Sequence, residues 1–376
     1  KLWSLFPHVS NQSVMEVYKL LRENGYIGAM KGSKTSAIEG LAVEKPNWIT
    51  AQRLPKHFME EATFIESNLP FVMVNQPETY EDKKATKNQY FAAPKLSIKK
   101  VKQEFGEEYK LAYRSVSEMN AYWSQHPLYN PIANEFYSSA RRIFHNGSIK
   151  SGGCWYGGWT DFNSNQRCSF TIDGHPVVQV DVNAMILCLL SSLTGKPMNM
   201  IGAFKDVYQP VLSQIGDITN SRDKLKQVII ELAGSGNPYK EKPSSDCEIL
   251  ENIDEFTHIR DLCLEAYPAL KCLDKESFNF TNSLSYHEAN ILTQTLLSLK
   301  QVGVVAYPLH DCVIVRMGDE FDAVETFKKV FKDYVSLFQK LNKLPELYLD
   351  IALTIKFDPS EQVRICLLYT SPSPRD

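Results

Sequence analysis

The chain has 376 residues, of which 43% are hydrophobic and 23% are charged. These proportions match soluble globular proteins and exclude disordered, collagen-like and coiled-coil chains. The 41 Lys and Arg residues nearly balance the 44 Asp and Glu residues, and a net charge of -3 excludes a purely electrostatic nucleic-acid binder. No stretch reaches the roughly 18 consecutive apolar residues of a membrane span, and the eight cysteines include no C-x-x-C pair. We therefore expect a soluble, cytoplasmic protein without membrane contact.

The first third of the chain is weakly patterned apart from one helix and one basic run. Residues 13–24 are amphipathic and precede Gly25, which predicts a helix. Residues 83–102 carry seven lysines and no acid, with Tyr90 and Phe91 among them. Such a run can hold a phosphate backbone and stack on bases, or it can be a solvated surface loop. The candidate nucleic-acid contacts are Lys83, Lys84, Lys87, Lys99, Lys100 and Lys102.

Stronger strand and helix patterns begin near Tyr122. The β-branched run at residues 176–182 predicts a buried strand that ends at Asp181, followed by a helix over residues 183–194. A further helix is predicted over residues 221–233. It has Leu225, Val228 and Leu232 on one face. Its other face carries three residues spaced by four: Arg222, Lys226 and Ile230. Because this basic face is separate from the core face, it is free to bind a ligand.

The last third predicts a helix, a hairpin and a second helix. Ser285 and Glu288 have the spacing of a capping box that opens a helix through about Gln301. Two apolar runs, residues 304–309 and 312–317, are separated only by His310 and Asp311, which predicts a hairpin with an acid at its tip. An amphipathic helix follows over residues 320–341. Its predicted core-facing residues are Phe321, Val324, Phe327, Phe331, Val335 and Phe338.

Asp181 and Asp311 are candidate metal ligands. An ionised carboxylate beside apolar strands is costly unless a cation compensates it. Hard oxygen ligands select Mg²⁺ or Mn²⁺, and two carboxylates from distant positions can hold the metal pair of a phosphoryl transfer. Arg222 and Lys226 suit the triphosphate of a nucleotide. Each feature alone also fits a turn, a cap or a solvated helix face, so the ordered set is the more specific observation.

That ordered set resembles the core of family A DNA polymerases and phage-type single-subunit RNA polymerases. VVQVDVNAMI, with Asp181, matches motif A; RDKLK, with Arg222 and Lys226, matches motif B; PLHDCVIV, with His310 and Asp311, matches motif C. The resemblance covers residues 133–341. It implies an α+β fold with right-hand architecture, in which an antiparallel-sheet palm carries helical fingers.

The resemblance also implies roles for these residues. Asp181, Asp311 and the carbonyl of Val182 would ligate the two metal ions. The residues implied for catalysis are Asp181, Asp311, Lys226 and His310. Lys226 would contact the triphosphate and protonate the pyrophosphate, while His310 would support the primer end or the geometry around Asp311.

The substrate-binding positions both match and depart from the family pattern. Arg222 would bind the outer phosphates, and Arg167 stands in the place of the arginine that precedes motif A. Ile230 and Gly234 occupy positions where the families place an aromatic residue. Ile186 replaces the acidic steric gate of family A enzymes, and its bulk would disfavour a 2′-hydroxyl.

The expected organisation has three parts. Residues 1–125 form an accessory or thumb-like region, residues 126–365 form the palm and fingers, and residues 366–376 form a non-native tail. The tail sequence, CLLYTSPSPRD, resembles a translated sequencing adaptor.

The expected function is template-directed nucleotidyl transfer by a two-metal mechanism in a phage, plasmid or other mobile element. Its partners would be a DNA or RNA template-primer and nucleoside triphosphates, and DNA synthesis is slightly favoured. An RNA polymerase or primase is the near alternative. A catalytically inactive polymerase-like binding protein for replication or defence, and a two-metal nuclease of unrelated fold, also remain open.

Overall fold

A computed structural model describes residues 71–77, 95–198, 206–216, 218–244, 252–273, 280–347 and 349–357, and the backbone of short strands between residues 29 and 51. The chain divides into two compact units, Lys1–Leu69 and Pro70–Asp376. Several predicted features lie outside the described residues. These are the helix at residues 13–24, the lysines Lys83, Lys84 and Lys87, and the tail at residues 366–376.

The described part of the first unit consists of short paired strands. They are β1 (Ala29–Lys31), β2 (Ala37–Ile38), β3 (Leu41–Ala42) and β4 (Ile49–Ala51). β1 pairs with β4 and β2 pairs with β3, both antiparallel.

The second unit is a mixed α+β structure of sheets and packed helices. Its described strands are β5 (Val72–Val74), β6 (Leu128–Asn130), β7 (Glu135–Tyr137), β8 (Ala140–Phe144), β9 (Gly152–Gly157), β10 (Thr171–Ile172), β11 (His175–Val182), β12 (Ala306–Leu309), β13 (Cys312–Arg316) and β14 (Leu353–Lys356). Its described α-helices are α1 (Ile98–Trp123), α2 (Ser164–Arg167), α3 (Met185–Thr194), α4 (Gln209–Leu212), α5 (Ser221–Ser235), α6 (Ile253–Ala266), α7 (Phe280–Gln301) and α8 (Glu320–Leu341). None of the described helices has the length and apolar character that crossing a membrane requires.

The larger sheet is antiparallel and is built around β11. Within the described residues seven strands form it, in the order β12-β13-β11-β10-β6-β7, with β14 paired to β11. β11 lies in the interior of this sheet. Its valines, from Val177 to Val182, are almost fully buried, as expected for a strand that is covered on both faces. A smaller sheet has the order β5-β8-β9, in which β5 and β8 are parallel.

Two indole rings hold the edge strand β12. Trp123 Nε1 donates to the carbonyl of Ala306 at 2.9 Å, and Trp159 Nε1 donates to the carbonyl of Pro308 at 2.7 Å. Pro308 cannot donate a ladder hydrogen bond, so it suits an edge strand. The ring of Trp123 also stacks on Tyr307, with centroids 4.9 Å apart. These contacts fix β12 and therefore the hairpin that β12 forms with β13.

The periodic elements of the sequence are confirmed, with small shifts at their ends. The predicted strand at 176–182 is β11, the helix at 221–233 is α5, and the helix at 320–341 is α8. Leu225, Val228 and Leu232 of α5 are fully buried, whereas Ile230 is half exposed. The core and basic faces of this helix are therefore separate.

Two local predictions were wrong. α7 begins at Phe280, so Ser285 and Glu288 lie inside the helix and do not open it. Phe321 has 73% of its surface exposed, because the packed stripe of α8 begins at Ala323. In both cases the local pattern does not show where the element meets the core.

Candidate functional site

Two neighbouring strands bring Asp181 and Asp311 to the same end of the larger sheet. The β11–β13 register pairs Asp181 with Cys312, the residue that follows Asp311. The N–H of Val182 donates to the carbonyl of Asp311 at 3.2 Å. His310 adopts a left-handed backbone with φ of 51°, which lets β12 and β13 reverse direction within two residues.

The two carboxylates lie within electrostatic reach of each other. Burial raises the pKa of Asp311 to about 6, and the negative charge of Asp181 contributes to this rise. The side chain of Asp181 keeps 23% of its surface exposed. Like charges in a desolvated site raise each other's free energy, so the pair favours a bound cation.

Glu288 is a third acid near this pair. Burial raises its pKa to about 8, and the charge of Asp311 adds to the effect. The sequence analysis assigned Glu288 to a capping box and did not predict that it lies near the acid pair. A usable signal was present, because Leu284 and Leu292, one turn away on each side, are buried and place Glu288 on the core-facing stripe.

Lys356 is the cation closest to the pair among the described contacts. It lies on β14, which pairs with β11 on the edge opposite to β13, and its ammonium forms an ion pair with Oδ2 of Asp181. Partial burial lowers the pKa of Lys356, but the hydrogen bond to Asp181, the charge of Asp181 and smaller effects of Cys312 and Asp311 together outweigh burial and raise it. Local sequence gives no signal for this contact, because it depends on a long-range strand pairing.

Arg167 and His310 lie beside the acids. Arg167 keeps only 8% of its surface exposed, and its guanidinium donates to Gln179 Oε1 at 3.3 Å and to the carbonyl of Phe162. Burial lowers the pKa of Arg167, while the charge of Asp181 opposes the shift. Burial and the charge of Arg167 together lower the pKa of His310. The imidazole of His310 is therefore held in a positively charged environment next to Asp311.

Arg222 and Lys226 lie on the exposed face of α5, as the sequence predicts. Arg222 is occupied by an ion pair with Asp206, in which Nη2 lies 3.2 Å from Oδ1. Both cations cover the ring of Tyr208. The guanidinium carbon of Arg222 lies 5.0 Å and Nζ of Lys226 lies 5.9 Å from the ring centroid, which is within the range of cation–π contacts.

Tyr208 interacts electrostatically both with this basic face and with Asp311. It is buried, with 8% of its surface exposed. Burial raises its pKa to about 12; the charge of Arg222 opposes the rise and the charge of Asp311 adds to it. The sequence interpretation missed Tyr208 and Asp206, because no local pattern connects them to α5.

The positions that depart from the family pattern have distinct environments. Ile230 is half exposed, and no described atom lies within 4 Å of a Cβ placed on Gly234. Ile186, near the start of α3, is half-buried and packs against the core. The outer face of α5 is therefore open at the positions where the family pattern has an aromatic residue.

Three of the candidate nucleic-acid lysines are described. Lys99, Lys100 and Lys102 are exposed in the first turns of α1. Nζ of Lys102 lies 5.7 Å from the ring centroid of Tyr109. The solvent exposure of these lysines fits either a nucleic-acid contact or a solvated surface.

The carboxylate pair fits a divalent cation of hard character. No group of three or more His, Cys, Asp or Glu side chains within the described ranges has the arrangement of a metal site. Mg²⁺ is commonly held by only one or two carboxylates, with water and substrate phosphates completing the shell. The charge coupling between Asp181 and Asp311 is compatible with such a site.

Comparisons with known proteins place this chain in no family. No protein-family description matches it, and no curated protein matches it. Among solved structures, it is similar to the POL domain of Pol1 from M. smegmatis in complex with DNA primer-template and dNTP. The TM-score is 0.38 and the identity is 9%, over 75% of this chain and 57% of that chain. The match therefore spans less than two thirds of that structure, and it decides neither fold family nor function.

Proposed function

We propose that this chain is a template-directed nucleotidyltransferase with a polymerase-like right-hand core, and that it makes DNA in preference to RNA. One observation carries the proposal. Asp181 and Asp311, far apart in sequence, are brought to neighbouring positions by the β11–β13 pairing and interact electrostatically, and the charge of Asp311 also acts on Tyr208, whose ring Arg222 and Lys226 cover. Phosphoryl transfer needs acids that bind metal cations and basic residues that bind the triphosphate.

The acids are assigned to cation binding. Mg²⁺ or Mn²⁺ would be held by Asp181, Asp311 and the carbonyl of Val182. When bound, the metal pair would activate a 3′-hydroxyl and stabilise the charge on the departing pyrophosphate. In the protein itself, Asp311 and Asp181, both half-buried, supply the negative charge that would attract the cations.

The basic face of α5 is assigned to the triphosphate. The planar guanidinium of Arg222 suits bidentate contact with phosphate oxygens, and Asp206 must release it first. Lys226 Nζ can donate a proton to the pyrophosphate oxygen that leaves. His310, on which the charge of Arg167 acts, would support the primer end or the geometry around Asp311.

The remaining assignments concern selectivity and the template. Ile186 would exclude a 2′-hydroxyl by bulk. Lys99, Lys100 and Lys102, with Lys83, Lys84 and Lys87, would contact the template-primer backbone. Residues 1–125 are assigned to an accessory region and residues 126–365 to the polymerase core.

Primer extension tests the proposal directly. With Mg²⁺, a primed DNA template and dNTPs, we expect template-dependent extension, and weaker extension with NTPs. Asp181→Asn and Asp311→Asn should each lower the rate by roughly 100-fold or more, because each removes a ligand of the cations that would stabilise the charge at the reacting phosphate. Asp350→Asn is the matched control, since Asp350 is an exposed acid paired with Lys328, and it should retain wild-type activity.

Other outcomes would point to the alternatives. A folded protein that extends no primer with either nucleotide set contradicts the proposal. Release of nucleotides from DNA without added triphosphates would identify a nuclease. Tight DNA binding without any chemistry would identify an inactive polymerase-like binding protein.

A further inference from the structure

Lys356 lies on the same face of the sheet as Asp181 because of strand register. β14 pairs Lys356 with Gln179, and Gln179 and Asp181 are two residues apart on β11. Residues two apart on a strand share a face, and diagonal neighbours on paired strands are within reach of a long side chain. The ammonium of Lys356 uses this geometry to pair with Oδ2 of Asp181.

This ion pair differs from an ordinary surface salt bridge in its surroundings. Exposed pairs such as Lys110–Glu107 join one acid to one base on a solvated helix and contribute little to stability. Lys356 instead faces two acids, because the charge of Asp311 also acts on it. A single lysine therefore partly neutralises the charge of both carboxylates.

The ammonium of Lys356 and a divalent cation would compete for the carboxylate of Asp181. A divalent cation bound by Asp181 would need the carboxylate oxygen that now accepts from Lys356. The lysine side chain keeps 44% of its surface exposed, so its ammonium can move from the carboxylate toward solvent. Its flexible four-carbon stem allows that movement without a change in the strand.

We propose that Lys356 is a tethered counter-ion of the Asp181–Asp311 pair, which a divalent cation must displace from Asp181 in order to bind. The inference rests on the proposed function for its assignment of the acids to cation binding. It makes Lys356 a positioning residue: it holds the acids together in the cation-free protein and weakens cation affinity when it is present.

Mn²⁺ titration followed by electron paramagnetic resonance of the free ion tests this role without any catalytic assay. Removing the lysine charge leaves the acid pair unneutralised, so Lys356→Met should lower the Kd for Mn²⁺ roughly ten-fold, which corresponds to about 1.4 kcal/mol. Lys356→Gln serves as a second neutral variant in case the first one does not fold. Lys356→Arg retains the charge and should bind Mn²⁺ about as the wild type does.

The matched control is Lys328→Met. Lys328 also forms an ion pair on a half-exposed side chain, with Asp350 at 3.3 Å, and its removal should leave the Kd unchanged. Adding Asp181→Asn to Lys356→Met should abolish the gain. An unchanged or higher Kd in both neutral variants overturns the inference.

The outcomes separate this inference from the proposed function. Tighter Mn²⁺ binding in Lys356→Met without primer extension would support the counter-ion role and contradict the polymerase proposal. Active primer extension with an unchanged Kd would do the reverse. Absence of Mn²⁺ binding in the wild type and in both neutral variants would overturn the inference.

Discussion

Glu288 shows what one half-buried acid does to the stability of the protein as pH changes. Its pKa in the folded state is about 8, whereas an unperturbed glutamate titrates near 4.3. Between these values the unfolded chain loses its proton first, so the free energy of unfolding falls as pH rises, by up to about 1.4 kcal/mol per pH unit. The charged neighbour is Asp311, which raises this pKa, whereas the nearby thiol of Cys154, whose own pKa burial raises to about 12, stays neutral over this range.

We therefore expect Glu288→Gln to flatten the pH dependence of stability. Urea unfolding in EDTA at pH 5 and pH 8 measures it, and the wild type should lose more stability over this interval than the variant. Asp311 adds a smaller effect of the same sign between its ordinary range and about 6. Glu118→Gln, at an exposed acid paired with Lys300, is the control. Equal losses in the wild type and Glu288→Gln would contradict the assigned burial.

At this scale the sequence revealed the residues that local patterns mark. Asp181 ends a β-branched strand and Asp311 interrupts two apolar runs, so both stood out as candidates. Lys356 and Tyr208 did not, because their partners lie on β11 and α5, distant in the chain. A side chain whose role depends on tertiary contact leaves no periodic trace.

At the scale of elements, the β12–β13 hairpin depends on indole hydrogen bonds for its position. Trp159→Phe keeps the aromatic ring but leaves the carbonyl of Pro308 without its donor. We expect a loss of about 1–3 kcal/mol in the free energy of unfolding. Because the hairpin carries Asp311, Mn²⁺ affinity and primer extension should fall as well.

Trp155→Phe is the control that distinguishes a loss of overall stability from a change in the position of the hairpin. The indole of Trp155 donates to Thr293 Oγ1 on α7 at 2.9 Å and not to a carbonyl of β12, so this variant removes an indole hydrogen bond that does not hold the hairpin. Urea unfolding should show similar losses in both variants, whereas Mn²⁺ titration should show weaker binding only in Trp159→Phe. Equal Mn²⁺ affinity in the two variants would show that the indole bond does not position Asp311.

Elements with long, regular periodicity were the predictable part of the fold. α5 and α8 follow their apolar stripes, and β11 follows its valine run. The pairing of β14 with β11 was not predictable from the sequence, since a strand of only four residues can pair with any free strand edge. The start of α7 was misplaced because Ser285 and Glu288 mimic a cap inside a helix.

At the scale of the whole molecule, the net charge of -3 hides local asymmetry. Acids gather where β11 meets β13, while exposed lysines lie on α1 and α8. Long-range attraction to nucleic acid is therefore expected to be weak, and the proposed DNA binding would have to come from local contacts, which salt screens strongly. The salt dependence of that binding would report which lysines touch the backbone.

If the start of α1 contacts the template-primer, replacing Lys99, Lys100 and Lys102 by Gln will reduce that salt dependence. Each lost phosphate contact lowers the slope of log K against log salt by about 0.9, so the triple variant should lose about 2 to 3 units of slope. Fluorescence anisotropy of a labelled primer-template over a salt series measures this. Lys329, Lys332 and Lys340→Gln on α8 makes the same change in net charge and should leave the slope near the wild-type value. An equal loss in both triple variants would mean that net charge, and not the α1 surface, governs binding.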